Sequence, residues 1–186
     1  MKKTTSGMKR KPFLTPVWLA GLAAVAVLSI VGWLWGTADS TTVIVIRHAE
    51  KVDTGEQDPP LSAAGEARAA LLARLFGTGA PSGRISAIYV SPLERSRMTA
   101  APLAAALGLK PIEMPADDTM GLVRRVLKDN SGGRILIVGH ADTVPQIVAA
   151  LSGYRDIAAI GAQEYDRMYI VTIPGIGRAN VLRLSY

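Results

Sequence analysis

The chain has two histidines and no cysteine. Each histidine closes an apolar run: Val43-Ile44-Val45-Ile46-Arg47-His48 and Ile135-Leu136-Ile137-Val138-Gly139-His140. Runs this rich in Val and Ile fit strands buried on both faces, as in a parallel sheet. A residue just past such a strand stands at its carboxyl edge, where open α/β sheets bind ligands. Arg47 precedes His48, and Arg95 follows a third apolar stretch at residues 85–90. In Ser91-Pro92-Leu93-Glu94-Arg95, Ser91 as N-cap, Pro92 at the first helical position and Glu94 at the third predict a capping box. Arg95 would then sit close to a helix N-terminus, where free N–H groups and the helix dipole attract anions. Two arginines and two histidines at one edge make a dense positive site. It suits a phosphate group, whose oxygens accept bidentate arginine contacts. One histidine can attack as a nucleophile. The remaining donors would stabilise charge on the transferring oxygens. Arg97 lies on another helix face and reads as a surface arginine.

Other chemistries lack their residues. Without cysteine there is no disulfide, zinc thiolate or thiol nucleophile. The patterns G-x-x-x-x-G-K-[ST], G-x-G-x-x-G and G-x-S-x-G are absent. Zinc on the two histidines would recruit Asp142 as a third ligand, but the two arginines would repel the metal. No cofactor and no metal are expected.

These residues need a scaffold, and the pattern supplies one. Residues 52–60 are polar and turn-forming. Ser62 predicts the cap of a helix over 63–76. Strands are predicted at 43–46, 85–90, 111–114, 134–139, 168–173 and 179–184, the last two as a hairpin. Helices are predicted to about Leu107, closed by Gly108, then over 119–129 and 143–151. Strands alternating with helices imply a mostly parallel sheet covered on both faces.

The net charge of +6 is unevenly spread. Five of the 21 Lys/Arg precede residue 12, and from Thr37 onward 16 basic residues face 15 acidic ones. The basic balance belongs to a tail and is no nucleic-acid footprint. Mean hydropathy is +0.25, high for a soluble domain. Residues 16–36 are uncharged and apolar, with Trp18 near one end and Trp33 and Trp35 near the other. About 20 such residues cross a bilayer as a helix, and the tryptophans fit the interfacial belts. The expected division is a basic cytoplasmic tail at 1–11, a transmembrane anchor at 12–36 and a domain at 37–186. By the positive-inside rule that domain faces the periplasm from the bacterial inner membrane. Cleavage near Ala38 is the alternative, and it would leave a secreted or periplasmic domain.

Four ordered blocks then carry a family resemblance. Arg47-His48-Ala49-Glu50 resembles the R-H-G/A-E signature of the histidine phosphatase superfamily, the phosphoglycerate mutase-like proteins. Asp58-Pro59-Pro60-Leu61-Ser62-Ala63-Ala64-Gly65 is similar to its L-[ST]-x-x-G helix start. Ser91-Pro92-Leu93-Glu94-Arg95 to Thr99-Ala100 is similar to its S-x-L-x-R-x-x-x-T-A block, and Val138-Gly139-His140 to its strand-histidine block. The resemblance implies an α/β three-layer sandwich with a mostly parallel central sheet, here behind one transmembrane helix. It implies His48 as a phosphohistidine-forming nucleophile, with Arg47, Arg95 and His140 holding the phosphoryl group. The expected activity is metal-independent hydrolysis of a phosphomonoester or phosphoprotein. Asp117, Asp118, Glu50 and Asp142 remain open as the acid or as support. A phosphoglycerate-type mutase and a non-catalytic phosphate-binding domain are the alternatives.

Overall fold

The computed structural model describes residues 17–36, 40–79 and 83–186. The chain divides into two units, Met1–Thr37 and Ala38–Tyr186. In the first, helix α1 spans Val17–Gly36, and its described side chains at 18–33 are exposed. Among the described residues no helix is long and apolar enough to cross a membrane. The expected transmembrane helix therefore has no support from the described residues. The basic tail, the first residues of the expected anchor and the cleavage position near Ala38 lie outside the described residues.

The second unit is the expected α/β sandwich. Its strands are β1 (Thr41–Arg47), β2 (Ala87–Val90), β3 (Ile112–Glu113), β4 (Arg134–Gly139), β5 (Arg167–Ile173) and β6 (Asn180–Ser185). Its helices are α2 (Ala63–Phe76), α3 (Glu94–Leu107), α4 (Thr119–Asp129) and α5 (Thr143–Ser152). The sheet order is β3-β2-β4-β1-β5-β6. The first four strands pair in parallel, while β5 and β6 add antiparallel pairs. The sheet is therefore mixed.

The alternation of strand side chains sorts the core into two halves. Val43 and Val45 face α4 and α5 with Tyr89, Ile135 and Ile137. Ile44 and Ile46 face the opposite way, with Ile88, Leu136 and Val138, onto Leu72 of α2 and Leu103 of α3. Each half forms around β1, which is buried along almost all its length. Fully burying such side chains stabilises by about 1.5–3 kcal/mol each before conformational entropy is counted.

The start of α3 departs from expectation. The helix begins at Glu94, and the N-cap residue Leu93 makes no side-chain cap bond. A carboxylate from elsewhere takes that place: Asp58 accepts the Glu94 N–H at 2.9 and 3.0 Å. The capping box fails because the Ser91 hydroxyl is drawn away, toward Ser96 at 2.8 Å. At the other end Gly108 adopts φ +67°, the left-handed cap that the sequence implied.

Candidate active site

Strand register brings the histidines together. Arg47 pairs with Gly139 across β1 and β4, so the residues that follow, His48 and His140, leave the sheet side by side. Their ring centroids are 5.3 Å apart. The pairing of Val90 with Val138 brings Ser91 to the same edge. The parallel strands thus deliver three polar residues to one level without any loop having to search for them.

His48 is 4% exposed, and its orientation is fixed twice. Its backbone N–H donates to the Gly139 carbonyl at 2.9 Å. Its Nδ1 lies 2.8 Å from the carbonyl oxygen of Ala49. A carbonyl can only accept, so Nδ1 carries the proton and Nε2 keeps its lone pair. Burial pushes the His48 pKa down to about 4, with the positive charges of Arg95 and Arg47 and the neighbouring His140 acting the same way. The Ala49 carbonyl opposes this in part. The ring is neutral at ordinary pH, as a nitrogen nucleophile must be.

His140 is braced on both sides. Its backbone N–H donates to Thr143 Oγ1 at 2.9 Å, and Nε2 lies 3.0 Å from Ser91 Oγ. Ser91 passes its own proton to the fully buried Ser96, so it accepts from His140. Burial lowers the His140 pKa, as does Arg95, while Asp142 raises it.

The two arginines share a pattern. Arg47 is 7% exposed, and its Nη1 donates to the carbonyls of Gly161, Ala162 and Glu164. Arg95 Nη1 pairs with Asp58 Oδ1 at 3.3 Å. In each, Nη1 is engaged by protein acceptors, while Nε is buried with no partner among the described residues. Buried N–H donors normally find an acceptor, and an unpaired one costs about 1–3 kcal/mol. Burial also lowers the Arg47 pKa.

Arg47, His48, Arg95, His140, Asp117 and Asp142 all line one open cleft of about 460 Å³. Lys51 joins them. Two expected acids are placed elsewhere. Glu50 is held by Arg68, whose Nε and Nη2 reach its oxygens at 2.6–3.0 Å, and it does not line that cleft. Its pKa is lowered chiefly by that hydrogen bond, which favours the carboxylate over the acid. Asp118 caps α4 by accepting the Gly121 N–H at 2.8 Å. Each carboxylate is thus engaged in a contact within the scaffold. Among the described residues no group of three His, Cys, Asp or Glu side chains is arranged to hold a metal ion.

Sequence reasoning missed several contributors. Thr99 Oγ1 accepts the Ala49 N–H at 2.9 Å and donates to the Arg95 carbonyl at 2.7 Å, tying the His48 turn to α3. Asp58, Arg68 and Tyr165 were also missed as contacts of the site. Thr99 and Asp58 both lie within the family-like blocks, which do not indicate what either side chain contacts.

The stretch at 43–117 matches the model of the histidine phosphatase superfamily (branch 1). The fold is similar to the protein histidine phosphatase SixA complexed with tungstate, with a TM-score of 0.63 and 18% identity, covering 77% of this chain and 96% of that one. The family match covers the stretch 43–117, and the structural likeness extends over the fold of the second unit. Mycobacterial glucosyl-3-phosphoglycerate phosphatase in its native structure has a TM-score of 0.60 and 15% identity, with 76% and 97% covered. Mycobacterial hydrolase 1 has a TM-score of 0.62 and 15% identity, with 79% and 99% covered. At these identities the structural likeness concerns the fold. No curated protein matches the chain in sequence. The histidine phosphatase match takes in Arg47, His48, Arg95 and Asp117, whereas His140 and Asp142 lie beyond it.

Proposed function

We propose that the chain is a phosphatase that hydrolyses a phosphomonoester or phosphoprotein through a phosphohistidine on His48. Nε2 of His48 attacks phosphorus, and the bond from phosphorus to the leaving atom breaks. The leaving atom takes a proton from Asp117, which lines the same cleft. Water then attacks the phosphohistidine, the P–N bond breaks, and the Asp117 carboxylate takes the proton from water. Arg47 and Arg95 hold the phosphoryl oxygens throughout. Asp142 favours the protonated form of His140, so it supports that ring as a donor once a dianion is bound.

The observation that carries this reading is the pair of buried arginine Nε donors without an acceptor among the described residues, set beside a neutral His48 whose protonated Nδ1 leaves the Nε2 lone pair available. A tetrahedral oxyanion answers both arginines at once. Hydrolysis of an aryl phosphate by the full chain, abolished in His48→Ala, tests it. Retained turnover in that variant would remove His48 as nucleophile, as would acid-labile phosphate labelling that persists without it.

The reading includes a location. The uncharged, apolar sequence at 16–36 behind a basic N-terminal stretch is what supports an anchored domain facing the periplasm. Recovery of the chain in a membrane fraction after an alkaline wash, with the domain open to external protease in spheroplasts, is the expected result. Release by the wash would count against the anchor.

A further inference from the structure

The segment leading into β5 builds a seat for Arg47. Three carbonyls, from Gly161, Ala162 and Glu164, converge on its Nη1 at 2.9–3.0 Å. The Tyr165 ring lies against the guanidinium, its centroid 3.9 Å from Cζ. The same ring is 6.0 Å from that of His48. The seat has its own fastening. Glu164 accepts the Gly161 N–H at 3.1 Å and Arg167 Nε at 2.6 Å, and it also pairs with Arg167 Nη2. Arg167 Nη1 donates to the Ala159 carbonyl at 2.8 Å. An arginine on the first residue of β5 thus shapes the turn that shapes Arg47.

The consequence is a guanidinium with few orientations left. Three acceptors at one nitrogen oppose rotation, and the ring screens one face from water. A planar fork fixed in advance loses less freedom when it binds an anion. We propose that Tyr165, together with the 161–164 turn, is a positioning element for phosphoryl binding: it holds the plane of Arg47 so that the unpaired Nε edge meets the phosphoryl oxygens. This rests on the cleft being a phosphoryl site. It adds a role for a segment that lies outside the family-matched residues.

The test uses the full chain, with orthophosphate as the binding probe and an aryl phosphate as substrate. Tyr165→Leu removes the aromatic face. Its Kd for orthophosphate and its KM are expected to rise roughly 2- to 30-fold, the span of a cation–π contact, with a smaller fall in kcat. Tyr165→Phe keeps the face and restores both constants. A leucine variant that binds orthophosphate as tightly as wild type overturns the inference, and so does a phenylalanine variant as weak as leucine. Should Tyr165→Leu fail to fold, Glu164→Gln loosens the turn while leaving the ring, and the same rise in Kd is expected. Unchanged binding there overturns the inference as well. A wild-type chain that neither binds orthophosphate nor hydrolyses the ester overturns the parent reading. A wild type that does both, beside unaffected variants, overturns this inference alone.

Discussion

Gly65 packs its α-carbon against the carbonyl oxygen of Glu50, leaving no room for a side chain between them. The contact joins the first turn of α2 to the turn that carries His48. Ser62 strengthens it, with its N–H donating to the same Glu50 oxygen at 2.9 Å. Gly65→Ala is therefore expected to cost about 2–3 kcal/mol of stability by overpacking and to displace His48. Denaturant unfolding measures the first effect and aryl phosphate turnover the second. A variant with wild-type values in both would show that the turn yields easily.

The lowered histidine pKa values make stability pH-dependent in a defined direction. His48 shifts from the ordinary 6.5 to about 4 on folding, so between these values the unfolded chain binds more protons. Stability is complete above pH 6.5 and falls as the pH drops toward 4. The loss from His48 is on the order of 3 kcal/mol, and His140 acts in the same sense. Unfolding at pH 7 and pH 4.5 measures it. His48→Asn should flatten the slope, and an unchanged slope would place the titration elsewhere.

Asp117 should reveal itself through the leaving group. A proton donor matters for a poor leaving group and little for a good one. Asp117→Asn is expected to slow hydrolysis of an alkyl phosphate by about 10²-fold or more, while nitrophenyl phosphate is far less affected. Equal loss on both substrates would assign Asp117 a binding role, and a selective loss in Asp142→Asn would move the acid there.

Glu50 is expected to behave as scaffold. Arg68 spans from Glu50 to the Tyr186 main-chain oxygen, the latter at 2.6 Å, and so ties the His48 turn to the end of β6. Glu50→Gln should keep turnover within about threefold and lower stability by about 1–3 kcal/mol. A 10³-fold loss of turnover in a well-folded Glu50→Gln chain would return this residue to the list of acids.

Much of this was legible in the sequence because it is local or periodic. The β-branched runs identified β1 and β4, and Gly108 marked the end of α3. The two histidines at strand ends already implied one edge, and the register of Arg47 with Gly139 made that edge a site. What escaped depends on contacts distant in the chain. Asp58 caps a helix 36 residues away, and no local pattern separates such a carboxylate from a solvated one. Local spacing favoured Ser91 as a cap, but His140 and Ser96 compete for its hydroxyl. Tyr165 reaches Arg47 across more than half of the folded unit and belongs to a loop without periodicity. Glu50 was left open as acid or support because it lies two residues from His48, and only the fold shows its side chain turned toward Arg68.

Strand β1 has neighbours on both edges and packed side chains on both faces. Its amide protons should exchange with solvent only when the whole unit opens, whereas those of the segments bearing Asp117 and Tyr165 can exchange through local fluctuations. Under mild denaturing stress the rim of the cleft would therefore loosen while the His48 ring still stood in place.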